Sequence, residues 1–151
     1  MRVRIRRQVA IPAPASVVWD YVTDWPRQGE WVPLTRTELV DGPGNGVGGR
    51  LRAWTGIGPV GFWDTMTITR LDRTADGGGI CEVLHTGAVV RGEGEFAVVA
   101  EEPERCRFVW AELVPLPFGR VGALGWRLVR PLVERGLDHG LRRLAARFAP
   151  G

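Results

Sequence analysis

The 151-residue chain reads as an α+β domain in which a strongly curved, seven-stranded antiparallel sheet wraps around a long C-terminal helix, with two short helices after the first strand. Three observations predict this. The chain opens on alternating arginine and apolar residues, its middle is a series of short strand-like runs broken by Gly, Pro and Asp, and its end carries leucines at helical spacing.

Within residues 2–11, Val3, Ile5, Val9 and Ile11 share one face, and Arg2, Arg4, Arg6 and Gln8 the other, as in a half-buried strand. This basic opening lacks the continuous apolar stretch of a secretory signal. Pro12-Ala13-Pro14-Ala15-Ser16 ends the strand and opens a helix through Val22 to about Thr23, with Pro14 near its first turn. Asp24-Trp25-Pro26 begins a second short helix that stops before Pro33.

Six further strands are predicted at 34–41, 47–57, 60–72, 79–87, 89–100 and 105–115. The turns between them are Asp41-Gly42-Pro43-Gly44-Asn45-Gly46, Gly58-Pro59, Ala75-Asp76-Gly77-Gly78, Gly87-Ala88 and Glu101-Glu102-Pro103-Glu104. Short strands joined by such tight turns form an antiparallel meander. From Gly122 to Phe148 a helix is expected, with Leu124, Leu128, Leu132, Leu137, Leu141, Leu144 and Phe148 as an apolar stripe and Pro131 as a kink. One apolar face of a large sheet needs a cover, and this helix is the candidate. On that reading its arginines (Arg127, Arg130, Arg135, Arg142, Arg143 and Arg147) form a solvated face. The whole of 1–151 is read as one domain.

Composition narrows the function classes. All the basic residues that carry the net charge of +3 are arginines, and they are interleaved with acids rather than clustered as in a nucleic-acid-binding patch. Cys81 and Cys106 fall on strands separated by one other, about 9–10 Å apart, beyond the roughly 7 Å reach of a disulfide; they are expected reduced and buried. The two histidines and two cysteines have no metal-ligand spacing. The Gly-rich stretch at 42–49 opens a strand, not a helix, so it is no phosphate loop. Ser16, the one serine, sits in no nucleophile elbow. No segment is apolar enough to span a bilayer, and a cytoplasmic protein with neither metal nor cofactor is expected.

Several stretches resemble the START-like, or SRPBCC, superfamily, which includes the birch-pollen allergens, and most closely its bacterial polyketide cyclase/dehydrase and lipid-transport group. Pro12 to Val22 is similar to that group's passage from a first strand into a helix bearing Val-Trp. Asp24-Trp25-Pro26, Glu30-Trp31 and Pro33 resemble its second helix and exit, and Gly46-Val47-Gly48-Gly49-Arg50 its entry to the third strand. The resemblance spans the chain. It implies the helix-grip fold and a cavity for lipids, sterols, polyketides or other apolar molecules, and it implies no single activity.

Alternation assigns the inner face independently. It places Leu51 and Ala53, then Phe62, Asp64, Met66 and Ile68, then Cys81, Val83 and His85 inside. Val90, Gly92, Gly94, Phe96 and Val98 follow, and then Phe108, Trp110, Glu112 and Val114. A two-residue turn at Gly87-Ala88 would pair His85 with Val90 and Val83 with Gly92. Three ionisable groups thus fall on an apolar surface: Asp64, His85 and Glu112. Asp64 should lie opposite or diagonal to His85.

Two readings compete for them. In one, Asp64 orients His85 as a general acid or base, with Glu112 as a second titratable group, in a cofactor-free polyketide cyclase or dehydratase. In the other they orient the polar end of a bound lipid, fatty acid or polyketide-like molecule. Phe62, Met66, Val83, Phe96, Phe108, Trp110, Leu124 and Leu128 would wall that cavity. A third reading uses Trp54 and Trp63, outward by parity, as a partner surface. A monomer or homodimer is expected, with an apolar small molecule as partner.

Overall fold

A computed structural model describes residues 1–42 and 45–151; the central Pro43-Gly44 of the turn expected at 41–46 lies outside them. The first strand, β1 (Arg2–Ile11), leads into α1 (Ala15–Val22) and a 3-10 turn of helix over Trp25–Glu30. Pro14 stands at the N-cap of α1, next to its first turn. Six strands follow: β2 (Thr35–Asp41), β3 (Arg50–Ile57), β4 (Val60–Arg73), β5 (Gly79–Thr86), β6 (Arg91–Glu102) and β7 (Arg105–Pro115). The chain closes with α2 (Gly119–Arg147), a continuous helix with Pro131 inside it.

All seven strands form one antiparallel sheet in the order β1-β7-β6-β5-β4-β3-β2. Register shifts between Leu39 and Asp41, Ile68 and Arg70, and Ala100 and Glu102 break the ladders. Such bulges tighten the right-handed twist and help curl a sheet around a helix. β1 is one edge, and its exposed Arg2, Arg4 and Arg6 are the kind of charged row that blunts edge-to-edge pairing.

The inner face and the helices enclose a core that includes Ile11, Val18, Trp19, Trp31, Ile68 and Phe108. Its centre is aromatic. Trp31 meets Trp110 at 5.6 Å and Phe108 at 5.4 Å, while Phe96 stands perpendicular to Trp110 at 5.2 Å. These edge-to-face contacts align each ring's positive edge with its neighbour's negative face. Cys81 and Cys106 are buried and unpaired; burial, with a smaller push from Glu82 and Glu101 respectively, raises their thiols to about 12 and about 11. They are inert at neutral pH.

Two expectations are corrected. The β5–β6 connection is four residues, 87–90, not two, so His85 pairs with Gly92 and Val83 with Gly94. The slip is two residues, and a shift by an even number keeps every side chain on its assigned face.

The second correction concerns α2. Its C-terminal half holds the sheet: Leu141 and Leu144 are buried, Asp138 receives the Arg7 guanidinium at 2.7 Å, and Phe148 packs edge-on to Tyr21 at 5.3 Å. A Cβ at Gly140 would sit 3.1 Å from the Trp31 carbonyl oxygen and 3.2 Å from Pro33, so glycine there permits the close approach. The first half of the leucine stripe covers nothing. Leu124, Leu128 and Leu132 are exposed.

Candidate functional site

Between the sheet and the C-terminal half of α2 lies a cavity of about 290 Å³, at the small end of the range that holds compact organic ligands. β3, β4 and β5 supply Leu51, Ala53, Met66, Cys81 and Val83 to its wall, and β6 and β7 supply Phe96 and Trp110. The 3-10 turn and its exit add Trp25, Gln28, Val32 and Pro33, and α2 adds Val133, Gly136 and Leu137.

Asp64, His85 and Glu112 also line it and form a continuous chain of hydrogen bonds. Met66 is the direct cross-strand partner of His85, which puts Asp64 diagonal to it on the same face. His85 Nδ1 lies 3.0 Å from each Asp64 carboxylate oxygen. His85 Nε2 lies 3.2 Å from Glu112 Oε2, and the Trp110 indole N–H donates to Glu112 Oε1 at 2.7 Å.

The contact of His85 with Glu112 spans two strands, since β6 runs between β5 and β7. Gly94 on β6 makes it possible. A Cβ there would stand 3.0 Å from His85 Nε2 and 3.1 Å from Glu112 Oε2, in the gap through which they meet.

Burial works against charge on His85, but the hydrogen bonds to Asp64 and then Glu112, with the carboxylates' negative charge, outweigh it and raise the imidazole to about 10. Held between Asp64 and Glu112, the ring is favoured as the imidazolium, which donates from both nitrogens. The trio sets two carboxyl groups against one imidazole. It presents acceptor lone pairs to a mostly apolar space that Gln28, Thr35 and Thr55 also line.

This arrangement bears directly on the choice between base and ligand anchor. A general base needs a free lone pair within reach of the substrate's proton. Here one ring nitrogen is held by Asp64 and the other by Glu112, and neither is open.

The structure gathers Met66, Val83, Phe96 and Trp110 with the charged trio around one cavity. It does not bring the other four expected wall residues there. Phe62 is half-buried outside it, Phe108 is sealed in the core behind Trp31, and Leu124 and Leu128 point to solvent. Trp54 and Trp63 form a cross-strand pair on the outer face with rings 5.4 Å apart, and the Arg52 guanidinium lies over Trp63 at 4.5 Å. Trp25 and Gln28 are wall residues that the sequence pattern does not mark; the Trp25 indole N–H donates to Asn45 in the β2–β3 connection, and Gln28 accepts from Thr37 on β2, which fixes Gln28 against the sheet. Among the described residues, no cluster of His, Cys, Asp and Glu has the arrangement to hold a metal ion, and no helix is long and apolar enough to cross a membrane.

Comparison with known proteins gives a consistent picture of the fold. A family model described as polyketide cyclase / dehydrase and lipid transport matches residues 2–149. The ZhuI aromatase/cyclase from a Streptomyces species is 19% identical over 97% of this chain and 93% of its own, with a TM-score of 0.69. A START superfamily protein from Mycobacterium smegmatis is 16% identical over 96% of both chains, TM-score 0.73. Ara h 8.0201 is 11% identical over 98% of both, TM-score 0.63. At such identities the likeness is one of fold, the helix grip. No curated protein matches the chain by sequence.

Proposed function

The chain belongs to the polyketide cyclase/dehydrase and lipid-transport family, and from that premise we propose that it binds a compact apolar molecule whose polar end is a hydrogen-bond donor, a hydroxyl or phenol. The observation that carries the proposal is the occupation of both His85 nitrogens by Asp64 and Glu112 inside the cavity. The trio supplies acceptors, two carboxyl groups against one imidazole. It favours a donating hydroxyl and opposes a carboxylate, for which burial beside like charge is costly. A polyketide-like phenol or a lipid alcohol therefore fits the site better than a fatty acid.

Catalysis by His85 as base is the second reading, supported by the family and by likeness to an aromatase/cyclase. It requires Glu112 to leave Nε2 and the ring to lose a proton held to about 10. Binding requires neither.

Isothermal titration calorimetry with a matched pair, 1-naphthol and 1-naphthoate, tests the proposal at neutral pH. Heat-detected saturable binding of the naphthol, at least about tenfold tighter than the naphthoate, is expected, since one buried unfavourable charge contact costs at least about 1.4 kcal/mol. Equal or tighter binding of the carboxylate overturns it. Tighter naphthol binding that survives unchanged in Glu112→Leu would also overturn it, because the discrimination would then come from elsewhere.

A further inference from the structure

The first half of α2 carries an apolar stripe that nothing in the described chain covers. Val121, Leu124, Leu128 and Leu132 recur at intervals of three, four and four, so they share one helix face; they are 75%, 62%, 78% and 70% exposed, and Phe118 at the helix start is 85% exposed. This is not the face that meets the sheet. Leu128 and the cavity-lining Leu137 are nine residues apart, about two and a half turns, and so point in opposite directions.

The charge around the stripe is one-sided. From Gly119 to Val133 the helix bears no acid; Arg120 and Arg127 lie along one flank of the stripe, and Arg130, about 200° around from Leu128 and Leu132, lies across the helix. The only acids of α2 are Glu134 and Asp138, and both are engaged, by Arg130 at 2.8 Å and by Arg7 at 2.7 Å. Arg135, Arg142 and Arg143 further along are exposed.

We infer that this face docks on an anionic lipid bilayer. An amphipathic helix with an apolar stripe flanked on one side by arginines buries the stripe at the level of the headgroups and sets those guanidinium groups among the phosphates. A second copy of the chain is a poorer occupant, because apposing two such faces places arginine against arginine with no free helix carboxylate between them. The docking is independent of what the cavity holds.

Co-sedimentation with vesicles of phosphatidylcholine doped with phosphatidylglycerol, against vesicles of phosphatidylcholine alone, tests it. The chain is expected to sediment with the anionic vesicles and not with the neutral ones, and to be released by high salt. Leu124→Glu/Leu128→Glu and Arg120→Glu/Arg127→Glu should each weaken binding by more than about tenfold, with unchanged circular dichroism since all four side chains face solvent. Val99→Glu, on the outer face of β6, should bind like the unaltered chain. Failure to bind anionic vesicles, binding unaffected by both helix variants, or an equal loss in Val99→Glu overturns the inference. So does a dimer in light scattering that dissociates in Leu124→Glu/Leu128→Glu while vesicle binding is absent; that result would assign the face to a second copy.

Discussion

The two faces of the sheet use charge in opposite ways. On the outer face Arg70 bridges Asp72 and Glu82, Arg52 meets Glu38 and Arg107 meets Glu101, pairs that stay largely in water, where an ion pair gains little beyond what solvent already supplied. On the inner face Asp64, His85 and Glu112 are shielded, with side chains 12%, 6% and 17% exposed. There the attraction is strong, but only because desolvation makes a lone charge intolerable. Outer charges can be lost singly; inner ones stand or fall together. The difference also sets the inner trio apart as the charged group that lines the cavity beneath α2.

Breaking the inner trio gives the largest effect. Asp64→Ala leaves the imidazolium with one partner in an apolar wall and is expected to cost about 3 kcal/mol of unfolding free energy, read from urea denaturation. Gly94→Ala should cost less, about 1 kcal/mol, because the new methyl crowds His85, Val83 and Glu112. Its diagnostic is a lower His85 pKa, as the imidazole loses its hold on Glu112.

The pH dependence of stability sharpens the same contrast. His85 is raised in the folded chain to about 10 from 6.5, so the stability it contributes is fully present below pH 6.5 and drains away as pH climbs toward 10. The thermal midpoint should therefore fall between pH 7 and 9, as thermal melts would record, and in His85→Gln it should be flat across that window. Above about pH 9 the buried thiols of Cys81 and Cys106 add a second decline, since they ionise more readily unfolded. The smallest effect belongs to the outer face. Arg70→Ala should leave the urea midpoint unchanged within error.

Much of this was legible in the sequence, and what was not has physical causes. Period-two alternation placed Asp64, His85, Gly94 and Glu112 on one face, and it survived a misjudged turn because four residues in place of two preserve parity. The role of Gly94 was hidden, since its importance is the side chain it lacks and appears only once His85 and Glu112 are known to meet across it.

The helix was misread for a different reason. From Leu132 to Leu137 the spacing is five, which turns the helix through about 500°, or about 140° past a full revolution. In the sequence, two apolar stripes on different faces therefore read as one. The second, through Val133, Leu137, Leu141 and Leu144, meets the sheet, so the cavity wall at Val133, Gly136 and Leu137 lies about one and a half to three and a half turns beyond Leu128 and Leu124. Trp25 and Gln28 line the cavity because a 3-10 turn carries them over it, a tertiary placement that no local periodicity records.

The central claim is that His85 is a charged post between two carboxylates rather than a free base. Nitrogen-15 NMR of the imidazole ring, followed from pH 5 to 10, tests it most directly. Both ring nitrogens are expected to remain protonated through pH 8. Titration near the ordinary value of 6.5, with Nε2 losing its proton, would contradict it and return His85 to the role of catalytic base.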